Sequence, residues 1–208
     1  MEWKISHQPV AYLDAMQEME RRVQQVQRGD KEEMIWLLEH PPLYTAGTSA
    51  KAKDLLQGVK GTFPVYETGR GGQYTYHGPG QRIAYMVMNL NQRTPDLRAY
   101  VKDLEKLIIE TLSAFNIDSF ARKERIGVWV KNTNSEAKIA ALGVRVQKWV
   151  TSHGIAINVA PDLSHYSGIV PCGISQFGVT SMKALGVDVS MEEVDAALAN
   201  SFEKVFAT

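Results

Sequence analysis

Between Pro95 and Phe115 the residues Leu97, Val101, Leu104, Leu107, Ile108 and Leu112 recur on one stripe at helical spacing, the clearest amphipathic helix in the chain. A helix with one apolar face needs a second layer, and the flanking runs supply strands for it to cover. A first helix is expected through Val10, Leu13, Met16, Val23 and Val26, stopped by Gly29. Met34 to Leu38 is a short apolar run closed by Glu39-His40-Pro41-Pro42, which its length and the prolines make a buried strand. Phe63 to Tyr66, Ile83 to Leu90, Ile126 to Val130, Lys138 to Val146 and Ile155 to Val159 also read as strands. The polar turn Asn132-Thr133-Asn134-Ser135 joins two of these in a hairpin. A last helix starts at Ser190, which forms a capping box with Glu193, and runs through Val194, Leu198 and Phe202. The expected fold is α/β (α+β): a single domain over residues 1–208, with a mixed, mostly antiparallel sheet and flanking helices.

Composition narrows the function. The 208 residues can bury a sizeable core, and 23 basic residues balance 23 acidic ones. No global field therefore draws the chain to nucleic acid or to an anionic membrane. The segment Met1 to His7 lacks the apolar run of a signal peptide, and no stretch approaches membrane-spanning length, so a cytoplasmic protein is expected. One cysteine makes no internal disulfide, and five scattered histidines offer no zinc-binding spacing, so no metal is expected.

Arg70-Gly71-Gly72-Gln73-Tyr74-Thr75-Tyr76-His77-Gly78-Pro79-Gly80-Gln81 threads four glycines between a cation, hydrogen-bonding side chains and a histidine. Glycine lets backbone approach a ligand closely, so the segment reads as the wall of a site joining two strands. A long hairpin loop with glycines for turns alone is the simpler alternative. Phosphate templates do not fit, because neither a G-x-G-x-x-G at the required offsets nor a Walker A is present.

The lone cysteine, Cys172, lies in Pro171-Cys172-Gly173. It is either a small buried hydrophobe or a nucleophile, and a nucleophile needs a partner to lower its pKa from about 8.5. His77, His153 and Lys138 are candidate activators. Lys138 opens the apolar strand Lys138 to Val144, where its ammonium either meets solvent or faces a pocket. A serine hydrolase is disfavoured, since Gly173-Ile174-Ser175-Gln176-Phe177 lacks the final glycine of a nucleophile elbow.

The segment Arg70 to Gln81 closely resembles the signature of the lipoyl(octanoyl) transferases. The resemblance extends through Glu39-His40-Pro41-Pro42, Gly127-Val128-Trp129-Val130, Lys138 to Arg145, His153-Gly154-Ile155-Ala156-Ile157-Asn158 and Pro171-Cys172-Gly173-Ile174. These blocks span most of the chain, and their joint occurrence is specific.

The resemblance implies the fold of biotin and lipoate protein ligases and a transfer of octanoyl from octanoyl-acyl carrier protein to a lipoyl-domain lysine. The implied acceptors are the lipoyl domains of 2-oxoacid dehydrogenase complexes and the glycine cleavage H protein. No cofactor is implied, because the thioester donor is already activated. By similarity Cys172 carries the acyl group and Lys138 lowers its pKa and moves protons. Arg70, Gly71, Gly72, Gln73, Tyr74, Thr75, Tyr76 and His77, with Ala141, Leu142, Gly143, Gly154, Ile155 and Ala156, would line the substrate site. Arg82, Met86 and Tyr166 depart from the pattern, and Tyr166 either shortens an acyl tunnel or presents its hydroxyl to water. An ATP-dependent ligase and a non-catalytic carrier-binding module are the rival readings.

Overall fold

The computed structural model describes residues 1–56, 62–132, 135–169 and 177–206. The first part of the chain forms β1 (Glu2–Ile5), α1 (Tyr12–Arg28), β2 (Met34–Leu38), β3 (Leu43–Ala46), β4 (Val65–Glu67), β5 (Tyr74–His77) and β6 (Gln81–Val87). The rest forms α2 (Leu97–Ser113), β7 (Ser119–Arg122), β8 (Arg125–Asn132), β9 (Ser135–Gln147), β10 (Val150–Asn158), β11 (Gly178–Val179) and α3 (Met191–Phe206).

The main sheet has eight strands in the order β1-β2-β6-β10-β9-β8-β7, with β11 paired to β9. Only β1 on β2 and β11 on β9 are parallel in it, so the sheet is mixed and mostly antiparallel, as expected. Its middle strands β2, β6 and β10 are buried along their whole length because helices cover both faces. Leu104, Leu107, Ile108 and Leu112 of α2 and Val194, Leu198 and Phe202 of α3 pack on one face against Ile139, Ile155 and Ile157. Ala15, Met19, Val23 and Val26 of α1 pack on the other against Trp36, Ile83, Tyr85 and Ala156.

The helix ends follow their local signals. Gly29 takes φ 78° after α1, and the Asp30 amide donates to the Gln25 carbonyl in a Schellman closure. Asp96 caps α2 by accepting from the amides of Arg98 and Ala99. The capping box before α3 forms in both directions: the Glu193 amide donates to Ser190 Oγ, and the Ser190 amide to Glu193 Oε2.

Four expectations need correction. The buried face of α1 is Tyr12-Ala15-Met19-Val23-Val26, which leaves Leu13 60% exposed. The expected strand at Phe63 to Tyr66 becomes β4, which lies outside the main sheet in a three-stranded sheet of order β4-β3-β5. The glycine-rich segment does not merely join two strands, because its middle is itself β5, antiparallel to β3. Strand β10 also begins at Val150, well before the apolar run at Ile155, since ladder pairing with β9 carries Thr151, Ser152 and His153 into the sheet.

Candidate active site

The small sheet and the glycine-rich segment lean over β9 and β10 and enclose a cavity of about 440 Å³. The Gly71 amide donates to the Val144 carbonyl, which fastens the segment to β9. That approach needs glycine on both sides: a Cβ on Gly143 would stand 3.0 Å from the Gly71 carbonyl oxygen, and one on Gly47 only 2.3 Å from that of Gly72. Arg70 to Thr75, His77, Lys138, Ala141 to Gly143 and Gly154 to Ala156 all line the cavity.

Tyr76 does not. It lies among Tyr44, Phe63 and Tyr166 in the aromatic cluster of the small sheet, with its hydroxyl 2.9 Å from His165 Nδ1. Arg70 lines the cavity but ties down backbone as well. Its guanidinium donates to the carbonyls of Gly71, Thr45 and Gln73 and to Thr45 Oγ1.

Behind the wall a polar network fixes the histidines. His77 Nδ1 donates to Gln81 Oε1 at 2.6 Å, and Gln81 Nε2 in turn donates to Asn158 Oδ1 and to the Tyr166 hydroxyl. The Tyr166 hydroxyl donates to Asn158 Oδ1 at 3.0 Å, so it enters this network. His40 Nδ1 donates to the Val10 carbonyl, which leaves Nε2 to accept from the Tyr85 hydroxyl at 2.7 Å. Burial lowers the pKa of His77 to about 3 and those of His40 and His153 to about 4. All three are neutral near pH 7, so neither His77 nor His153 supplies a cation to a thiol.

Lys138 faces the cavity and is 6% exposed. Its Nζ donates to the Ile126 carbonyl at 3.1 Å and lies 4.7 Å from the centre of the Trp129 ring. Gly127 makes room for it: the residue has φ 129°, a Cβ there would stand 3.0 Å from Lys138 Cε, and the register of β8 on β9 shifts just beyond it, with Val128 opposite Ala140 and Trp129 opposite Lys138. Beside it, Arg125 stacks on Trp129 and Phe177 and pairs with Glu136. Sequence reasoning missed Arg125, Tyr12, Tyr85 and Asn158 as lining residues. Asn158 stood in a quoted block, whereas nothing local marked the others.

Cys172 lies outside the described residues. On one side of its segment, Ile169 forms a bridge to Leu55, and on the other β11 runs parallel along β9 with Val179 opposite Lys138. Among the described residues no group of three or more histidine, cysteine, aspartate or glutamate side chains could hold a metal ion. Among them also, no helix is long and apolar enough to cross a membrane.

A family model described as the lipoyl protein ligase A/B catalytic domain matches residues 11–203. The chain belongs to that family. It is 56% identical to an octanoyltransferase of Parvibaculum lavamentivorans over 99% of this chain and 92% of that protein. It is 52% identical to an octanoyltransferase of Wolbachia pipientis wMel over 99% of each chain. In fold it is similar to a T. acidophilum lipoate protein ligase solved with bound lipoic acid, with a TM-score of 0.78 at 17% identity over 99% of this chain and 86% of that one. It is also similar to lipoate-protein ligase A bound with ATP, with a TM-score of 0.75 at 16% identity over 100% of this chain and 86% of that one. At these identities the lipoyl ligase structures speak for the fold alone, which they share with this chain.

Proposed function

We propose that this lipoyl ligase A/B family member is an octanoyltransferase of protein lipoylation that works through an acyl-cysteine at Cys172. The donor is octanoyl-acyl carrier protein, and the acceptors are lysines of the lipoyl domains of 2-oxoacid dehydrogenase complexes and of the glycine cleavage H protein. The whole chain acts as one catalytic domain in the cytoplasm. The relatives above 50% identity are named octanoyltransferases, which supports the reaction.

The observation that carries the mechanism is the placement of Lys138. Its ammonium lines the cavity, and the chain returning from the Cys172 segment pairs with its own strand at Val179. The histidines that could have served instead are held neutral by burial.

In the first half, the Cys172 thiolate attacks the thioester carbonyl. The carbon–sulfur bond to the donor breaks, and the departing thiolate takes a proton from the Lys138 ammonium. In the second half, the neutral acceptor amine attacks the acyl-cysteine, Lys138 takes the surplus proton, and the Cys172 thiolate leaves. The starting ion pair is restored, and no nucleotide enters the balance.

Intact-mass analysis after incubation with octanoyl-carrier protein, without ATP, tests this. One octanoyl adduct is expected on the wild type and none on Cys172→Ser. Product formation by a Cys172→Ser protein at the wild-type rate would overturn the covalent route.

A further inference from the structure

One peptide of β8, the one between Ile126 and Gly127, holds oppositely charged side chains at its two polar ends. Its carbonyl accepts from Lys138 Nζ at 3.1 Å, and its amide donates to Glu105 Oε1 of α2 at 3.3 Å. In a trans peptide these two groups point in opposite directions, so the peptide lies between the ammonium and the carboxylate.

The strand ladder leaves this peptide to them. Between Arg125 and Val128, β8 has no residue opposite it on β7, and its pairing with β9 begins only at Val128. A backbone amide and carbonyl outside a ladder need other partners, and here two side chains supply them. Gly127, at φ 129°, sets the angle of the peptide, and a Cβ in its place would stand 3.1 Å from the Ala140 carbonyl oxygen as well as 3.0 Å from Lys138 Cε. Glu105 is half-buried and stands outside the lining of the cavity. Burial raises its pKa, and the Gly127 hydrogen bond with the charges of Lys102 and Lys138 offsets part of the rise. The other charges near this pair are Lys102 of α2, and Glu124 and Arg125 where β8 begins, of which Arg125 is paired with Glu136.

We propose that Glu105 is a positioning residue for Lys138, holding the peptide that aims the ammonium into the cavity. This rests on the reading above, in which Lys138 serves Cys172. Hydrogen bonds in series polarise one another, so an acceptor at the Gly127 amide strengthens the hold of the Ile126 carbonyl on Nζ. Glycine adds little torsional restraint of its own. Without the acceptor the peptide turns more freely, and the ammonium moves with the carbonyl.

The experiment measures kcat and KM for octanoyl-carrier protein, and the pH profile of Cys172 alkylation, in the wild type, Glu105→Ala, Glu105→Leu, Glu105→Gln and Lys138→Ala. Leucine keeps bulk and helix propensity without an acceptor, and decides the matter should the alanine variant not fold. A misplaced catalytic group costs on the order of 100-fold, so kcat should fall about 10- to 100-fold in the alanine and leucine variants, with KM changed less than about twofold. Glutamine keeps the acceptor and should recover most of the loss; a glutamine variant as slow as alanine would overturn positioning by this hydrogen bond.

Alkylation separates position from charge. Deleting an anion beside an unmoved lysine would shift the Cys172 profile to lower pH, because the thiolate loses a repulsive neighbour. Displacing the lysine shifts it to higher pH, toward the Lys138→Ala profile, and that shift is expected for alanine and leucine. Wild-type kcat, or a coincident or lower profile, in variants shown to be folded by thermal unfolding would overturn the role of Glu105. Should Lys138→Ala itself match the wild type in both kcat and profile, the underlying reading fails and the proposal with it.

Discussion

Arg82 Nε of β6 stands 2.8 Å from Asp195 Oδ1 of α3, and both side chains are more than nine-tenths buried. The atoms are close enough for an ion pair but not aligned for a hydrogen bond. Burial raises the Asp195 pKa more than the Arg82 charge lowers it. Asp195→Ala should therefore lower stability by about 3–5 kcal/mol, because it strands a buried guanidinium. Arg82→Met with Asp195→Leu should recover most of that loss. Urea unfolding of the two proteins measures it, and equal destabilisation by both would show that the charges contribute nothing by pairing.

Acid should weaken the fold early. His40, His77 and His153 titrate near 6.5 in the unfolded chain and at about 4, 3 and 4 in the folded one. Between these values the unfolded state binds more protons, so stability falls as pH drops below about 6.5 and levels off near the folded pKa values. Each histidine adds a slope of up to about 1.4 kcal/mol per pH unit. Urea midpoints at pH 7, 6 and 5 should decline progressively, whereas a flat series would mean that the rings are solvated.

Gly127→Ala should injure catalysis as well as folding, since φ 129° strains any side chain there. The new methyl would stand 3.0 Å from Lys138 Cε and 3.2 Å from its Nζ. Displacing a proton-transfer group typically costs on the order of 10²–10⁴ in rate. The loss should appear in kcat, with acyl-carrier KM little changed. A variant with full kcat would show that Lys138 tolerates movement.

Removing the lysine charge should alter the thiol. The alkylation rate of Cys172 should rise with pH at a position about one unit or more higher in Lys138→Ala than in the wild type. Iodoacetamide kinetics followed by mass spectrometry give the two profiles. Coincident profiles would remove Lys138 as the activator.

Much of this was legible in the chain, for reasons visible at particular residues. The stripe of α2 and the capping box of α3 are local signals, and both elements formed where expected. The wall of the cavity was legible because its glycines have backbone reasons: those at 143 and 154 mark close backbone approach, and that at 72 takes φ 91°. Strands β1, β3 and β7 escaped notice because each is four residues long, too short for periodicity to register. The positive φ of His153, 64°, was equally hidden, because a histidine in an apolar run carries no local sign of it. Arg82 read only as a departure from the family pattern until Asp195, more than a hundred positions away, was brought beside it.

The pairing of β11 with β9 bears on synthesis as well as on chemistry. A ribosome delivers Lys138 before Val179, and β9 reaches its outermost partner only after the intervening strand and turns have emerged. Such non-local pairing is slow relative to helix formation, since a long loop must close before its contacts are made. An unfinished chain consequently holds the lysine strand without the segment that returns to it, and the cavity is completed only once translation has passed beyond residue 179.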